Sequence, residues 1–252
     1  MTTAIGLRQF LAGDGPERAA VLSDLDGCLI SGTSVLPFVS ELFARCGERL
    51  WIVSNNSTDT AETLSTRLAS MGLMIAPARI LLAGEETLRR IAEDRPGARV
   101  ALYASPVLRR LAARLGLIED LTAPDLAILA RDPGFSFSDL TGLMHHAARG
   151  LPVVATNPDP SHPDAEGFPV PETGALMAAL RAALPGLAMP AMGKPEPDLA
   201  RIALTRAGVA ASEAVFLGDT PETDGIAAQR AGIDFVLLRR PGSVFQSEEV
   251  FA

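Results

Sequence analysis

Cysteine is nearly absent from this chain: Cys28 and Cys46 are the only two. Two thiols cannot build a disulfide framework, and their scarcity fits a reducing compartment. Aromatic residues make up 5% of the chain against 48% hydrophobic residues in all, so the core is expected to be aliphatic. Long apolar runs are missing as well. No stretch reaches the length that crosses a bilayer, and residues 1–8 lack a basic segment leading into an unbroken apolar one. These absences point to a cytoplasmic protein with no membrane partner. Positive charge is in the minority, 22 Lys and Arg against 30 Asp and Glu for a net charge of −8, which argues against nucleic acid or an anionic lipid surface as partner. An anionic substrate would have to find local positive charge. Histidine and cysteine at metal-ligand spacing are lacking too, so zinc is disfavoured. No internal repeat or low-complexity tract breaks the chain.

What is present is organised around Val21-Leu22-Ser23-Asp24-Leu25-Asp26-Gly27-Cys28. A short apolar run of the kind a buried parallel strand uses delivers two carboxylates two residues apart, then glycine. In extended geometry Asp24 and Asp26 leave on the same side, and Gly27 lets the backbone turn away. Two like charges about 4 Å apart repel by about 4 kcal/mol at an effective dielectric near 20. A bound cation, a raised pKa on one acid, or exposure in a solvated turn would each relieve that repulsion. Cys28 reads as a small apolar filler, because adjacent carboxylates raise a thiol's pKa and blunt it as a nucleophile.

The rest of the 252 residues alternates between strand and helix. Residues 31–34 read as a turn, 36–46 as a helix, 50–53 as a strand that stops at Ser54-Asn55-Asn56-Ser57-Thr58, and 60–71 and 84–93 as helices. The pattern then repeats with strands at 99–103, 126–130 and 153–155, and helices at 106–115, 138–149 and 175–184. The segment 157–171 is crowded with Pro, Asp and Gly and reads as a loop. The last part runs helix 197–207, strand 214–217, acidic loop 218–224, helix 225–231 and strand 235–238. Such alternation predicts an α/β fold with parallel sheets joined by right-handed crossovers.

Four apolar runs end in polar clusters: Asp24 with Asp26, Ser54 with Asn55, Lys194 in Gly193-Lys194-Pro195, and Asp219 with Asp224 in Gly218-Asp219-Thr220-Pro221-Glu222-Thr223-Asp224. Singly, each has an ordinary reading as a helix cap, a loop lysine or an acidic turn. Jointly they predict one site, because doubly wound folds bind ligands beyond the carboxyl ends of their strands. Several carboxylates beside one lysine form a hard, oxygen-rich set that suits Mg²⁺.

In this order the four clusters resemble the four motifs of the haloacid dehalogenase superfamily. More narrowly they resemble its class II capped phosphatases, the group of nitrophenyl, pyridoxal and phosphoglycolate phosphatases. Ala155-Thr156-Asn157-Pro158-Asp159 and Thr173-Gly174-Ala175-Leu176 extend the likeness. The resemblance implies a doubly wound, Rossmann-like core over residues 1–96 and 191–252, with a smaller α/β cap inserted at 97–190. It also implies Mg²⁺-dependent hydrolysis of a small phosphorylated metabolite, and a homodimer formed through the cap. Asp24 would be the nucleophile, forming an aspartyl phosphate, and Asp26 the general acid and base whose backbone carbonyl also meets the metal. Ser54, Asn55 and Lys194 would bind the phosphoryl group, and Asp219 and Asp224 the metal. Asn157, Asp159 and His162 would contact the leaving group from the cap. Glu172 departs from the group, whose members usually carry glycine there, and its charge disfavours a strongly anionic leaving group. A non-catalytic phospho-ligand binding domain on the same fold is the alternative, and a phosphomutase fits less well, since it goes with a smaller helical cap.

Overall fold

The structure is a computed structural model that describes residues 4–163 and 168–239. The chain opens with α1 (Leu7–Ala12) and β1 (Ala20–Ser23), then β2 (Ile30–Ser31), β3 (Ser34–Val35), α2 (Val39–Cys46), β4 (Leu50–Ser54), α3 (Ala61–Ser70), β5 (Ile80–Leu82) and α4 (Ala83–Asp94). Next come β6 (Arg99–Tyr103), α5 (Pro106–Arg114), β7 (Ile118–Glu119), β8 (Leu126–Leu129), α6 (Phe137–Ala148), β9 (Val153–Ala155), β10 (Ser161–Pro163), β11 (Pro169–Pro171) and α7 (Thr173–Ala183). The chain then returns through α8 (Asp198–Ala207), β12 (Ala214–Gly218), α9 (Ile226–Ala231) and β13 (Asp234–Leu237).

Two parallel sheets result. The larger runs β13-β12-β1-β4-β5 and the smaller β7-β6-β8-β9. In the larger sheet Leu22 pairs with Phe216 on one side and Trp51 on the other, so the ends of β1, β4 and β12 lie side by side. Alternate residues of β1 serve opposite faces, as a strand's period of two requires: Val21 packs with Leu42, Leu64 and Leu68, whereas Leu22 packs with Leu199, Ala203 and Ala228. Both faces are therefore covered by helices, and the fold is the Rossmann-like α/β architecture with an inserted α/β cap.

The small sheet is covered in the same way, but α4 crosses between the two. Leu88 and Ile91 of α4 pack with Val100, Leu102 and Leu108 of the cap, although α4 follows directly from β5 of the larger sheet. Gly84 makes that passage possible, because a Cβ there would lie 2.8 Å from the Ser57 Cα and 2.8 Å from a Leu108 methyl. The glycines at 116 and 150, just past α5 and α6, have positive φ, and thus close those helices.

Several short elements were not legible as such, β7 among them. Residues 31–34 belong to a tight hairpin of β2 and β3 with Gly32 at φ 58°. Residues 161–163 and 169–171 pair antiparallel within the expected loop. β5 is three residues that run straight into α4 with no turn to mark them, and α1 is six residues with no side-chain cap. Among the described residues no helix is long and apolar enough to cross a membrane.

Candidate active site

The polar clusters expected to converge do so around Lys194. Its ammonium is buried and donates to Asp24 Oδ1 at 2.6 Å and to Asp224 Oδ1 at 2.7 Å, and the Phe216 ring lies beneath it at 5.8 Å. Burial is the largest single effect on the Lys194 pKa and lowers it, but the two carboxylates together outweigh it and raise the pKa, so the ammonium stays charged.

β1 brings Asp24 to this point, and the Asp24 amide continues the ladder by donating to Leu217 O at 2.9 Å. The strand ends at Ser23, and Gly27 at φ 88° turns the chain as expected. Asp24 and Asp26 nonetheless meet different surroundings: Asp24 is buried and Asp26 exposed. Burial pushes the Asp24 pKa well up; Lys194 opposes this, and Asp224 and Asp219 add to it. One ammonium is thus too little positive charge for the acids around it.

Asp224 reaches the site through a wide π-helical turn at Pro221–Gly225. Its Oδ2 accepts from the amides of Asp219 and Thr220, both at 3.1 Å. Gly218 permits this fold-back, since a Cβ there would meet Asp224 Cβ at 2.3 Å. The Asp224 carboxylate is accordingly shared between Lys194 and the main chain. Asp219 is less buried, and one oxygen of Asp24, one of Asp219 and the Cys28 sulfur all lie within 4.8 Å of one another. Two carboxylates at that spacing, with surplus negative charge, fit a hard divalent cation. Burial first, then Asp24, hold the Cys28 thiol well above its ordinary pKa, so it is protonated and no competitor as a nucleophile.

The Ser54 and Asn55 side chains take different tasks. Ser54 Oγ accepts from the Asn56 amide at 3.1 Å. Asn55 grips the main chain of Lys194: its Oδ1 accepts from Lys194 N at 2.7 Å and its Nδ2 donates to Lys194 O at 2.9 Å. The same Nδ2 donates to Asp159 Oδ2 at 3.0 Å, which ties the cap to the loop after β4. Asn157 is buried in this seam, accepting from Thr156 Oγ1 at 3.1 Å.

A sequence profile described as haloacid dehalogenase-like hydrolase matches residues 19–232. The chain belongs to that family. Among curated relatives of this hydrolase, the dihydroxyacetone phosphatase of Corynebacterium glutamicum is 29% identical over 222 residues, 86% of this chain and 80% of that protein. The solved 4-nitrophenylphosphatase of Thermotoga maritima superposes with a TM-score of 0.82 at 26% identity, covering 89% of this chain and 87% of the other. The glycerol phosphate phosphatase of Mycobacterium tuberculosis, solved in complex with magnesium, reaches 0.80 at 26% identity, covering 88% and 68%.

His162 of this hydrolase is on the β10–β11 hairpin, where its Nδ1 is 2.7 Å from Glu172 Oε1. Arg131, given no role beforehand, meets the same glutamate. Arg131 Nε is 3.3 Å from the same Glu172 oxygen and 3.3 Å from Pro171 O, and its Nη1 donates to Thr58 Oγ1 at 3.3 Å. Thr173 and Ser57 share a hydroxyl contact of 3.2 Å. The signal for Arg131 was available: it follows the apolar run 126–130, as Asp24, Ser54 and Asp219 follow theirs, whereas Lys194, expected where an apolar run ends, follows no strand.

Proposed function

We propose that this hydrolase of phosphoric monoesters is a Mg²⁺-dependent phosphatase of small sugar or polyol phosphates that works through an aspartyl phosphate. The single observation that carries the reading is the buried Lys194 ammonium held between Asp24 and Asp224, with its main chain clamped by Asn55. Phosphoryl transfer asks chiefly for positioning and charge neutralisation, and this arrangement offers both.

In this mechanism an Asp24 carboxylate oxygen attacks phosphorus and the ester P–O bond breaks. Asp26 gives its proton to the departing alkoxide, so the alcohol leaves neutral. Asp26, now a carboxylate, takes a proton from water as that water attacks the phosphorus of the aspartyl phosphate. Inorganic phosphate leaves and Asp24 is regenerated. Lys194 favours the ionised form of Asp24 and faces the phosphoryl oxygens, and Ser54 and the Asn55 amide bind those oxygens. Asp24, Asp219 and the Asp26 carbonyl would hold Mg²⁺, with Asp224 orienting its neighbours. A bound Mg²⁺ supplies charge neutralisation at the phosphoryl group.

The cap, taken as residues 97–190 with α4 as its support, covers the site and excludes water during transfer. Substrate choice rests with the cap, because the core residues touch only the phosphoryl group common to all candidates. The relatives' names support hydroxylated leaving groups: dihydroxyacetone in one, glycerol in another.

Phosphate release from a panel of phosphorylated metabolites, with Mg²⁺ and with EDTA, tests the proposal. Mg²⁺-dependent release that Asp24→Asn abolishes supports it. Binding of a phosphate ester without release would favour the non-catalytic alternative, which has no need of the acid at position 26.

A further inference from the structure

The cap rim carries two side chains that would attract an anionic leaving group, Arg131 and His162, and one carboxylate occupies both. Glu172 Oε1 lies 2.7 Å from His162 Nδ1 and 3.3 Å from Arg131 Nε. The three come from different elements: Arg131 from the end of β8, His162 from β10, and Glu172 from the residue before α7. Glu172 is not a solvated rim residue. Its side chain is 14% exposed, and its Oε2 is buried with no hydrogen-bond partner among the described residues. A buried carboxylate with an idle oxygen is costly. Burial accordingly raises its pKa, while Arg131 and His162 oppose the rise.

The cluster is attached to the reaction centre. Arg131 N donates to Ser57 Oγ at 3.2 Å, three residues beyond Ser54. Glu172 N donates to Pro160 O at 3.0 Å, next to the Asp159 that bonds Asn55. These bonds seat the cluster on the cap beside the loop that follows β4.

Resting on the phosphatase reading above, we infer that Glu172 is a specificity-determining positioning residue. By occupying Arg131 and His162 it makes the cap wall select hydroxylated, uncharged leaving groups and reject those bearing a carboxylate or second phosphate. Asp159, the other acid of this wall, adds to the rejection. With Nδ1 facing Glu172, His162 has Nε2 for a leaving-group hydroxyl.

The test compares glycerol 3-phosphate with 3-phosphoglycerate, which differ in having a carboxylate where the former has a hydroxymethyl group, and uses nitrophenyl phosphate as a reference. The wild type is expected to favour glycerol 3-phosphate at least tenfold in kcat/KM, mostly through KM. Glu172→Gln removes the charge but keeps an amide of the same shape. It should shrink that preference about tenfold by lowering KM for 3-phosphoglycerate, and adding Arg131→Gln should cancel the gain. A wild type that hydrolyses both equally well overturns the inference without any variant. So does a Glu172→Gln enzyme whose two KM values move together. If the wild type releases no phosphate even from nitrophenyl phosphate, the phosphatase reading fails first and this inference falls with it.

Discussion

Asn55 holds Lys194 by its main chain and not by its charge: the amide side chain accepts from Lys194 N and donates to Lys194 O, at 2.7 and 2.9 Å. The ammonium can therefore stay directed at Asp24 and Asp224 without its own salt bridges having to fix the loop. Asn55→Ala should lower kcat by about ten- to a hundredfold while leaving the fold intact. Turnover of nitrophenyl phosphate beside a far-ultraviolet circular dichroism spectrum checks this, and an unchanged kcat would remove Asn55 from the machinery.

Gly193 must remain glycine for a steric reason. A Cβ there would sit 2.6 Å from Asn55 Oδ1, 2.8 Å from Asn157 Cβ and 2.9 Å from Thr156 O. Gly193→Ala should cost about 1–3 kcal/mol of stability and reduce activity as well, because the atoms displaced are those that seat Lys194. Urea denaturation and an activity assay on the same sample would read both.

Among Asp24, Asp219 and Asp224 there is more negative charge than Lys194 offsets. Millimolar Mg²⁺ should raise the thermal midpoint relative to EDTA, since a ligand at a hundred times its Kd adds about 2.7 kcal/mol. Asp219→Asn should lose most of that rise. Equal midpoints in wild-type protein would count against a shared cation site.

Burial holds the Asp159 pKa above the ordinary carboxylate range, against the bonds it receives from Asn55 and Asn157. An acid whose folded-state pKa exceeds its unfolded value binds more protons when folded. Stability from this group is thus present below the unfolded value and is lost as pH rises through the folded one. Asp159→Asn keeps an oxygen for Asn55 but cannot ionise. Its stability relative to wild type should increase from about pH 4 to about pH 7, as read by denaturant titrations at several pH values.

Glu85 is buried on α4, where its Oε2 accepts from the Ala61 amide at 2.6 Å and its Oε1 pairs with Arg89. It thereby satisfies the first turn of a helix elsewhere in the core. Glu85→Ala should destabilise by about 1–3 kcal/mol by orphaning that amide, measured by urea midpoint, with little effect on KM.

The ends of β1, β4 and β12 were legible because each is an apolar run that stops at a polar cluster, as at Ser23-Asp24 or Leu217-Gly218-Asp219. Convergence of those three ends followed from that pattern and from the parallel topology, whereas Lys194 reaches them from a segment that follows no strand. Contacts made by folding alone were not legible. Asn55 meets Lys194 across 139 positions, and nothing at either end signals a main-chain clamp. Arg131, His162 and Glu172 likewise become one cluster only when β8, the β10–β11 hairpin and α7 are assembled. The same holds for α4, whose apolar stripe is visible but whose destination, the cap and not the larger sheet, is a tertiary fact.

The chain's return from cap to core is not a loose strap. Ala155 at the end of β9 pairs with Ala191 and donates to Pro190 O at 2.9 Å, and Gly193 N donates to Thr156 O at 2.9 Å immediately before Lys194. The segment that carries Lys194 is therefore seated on cap backbone. A chimera that transplants a foreign cap by cutting at 190 would break this joint and import the donor's substrate preference onto a displaced lysine. A workable graft has to carry 155–159 and 190–194 together as one piece.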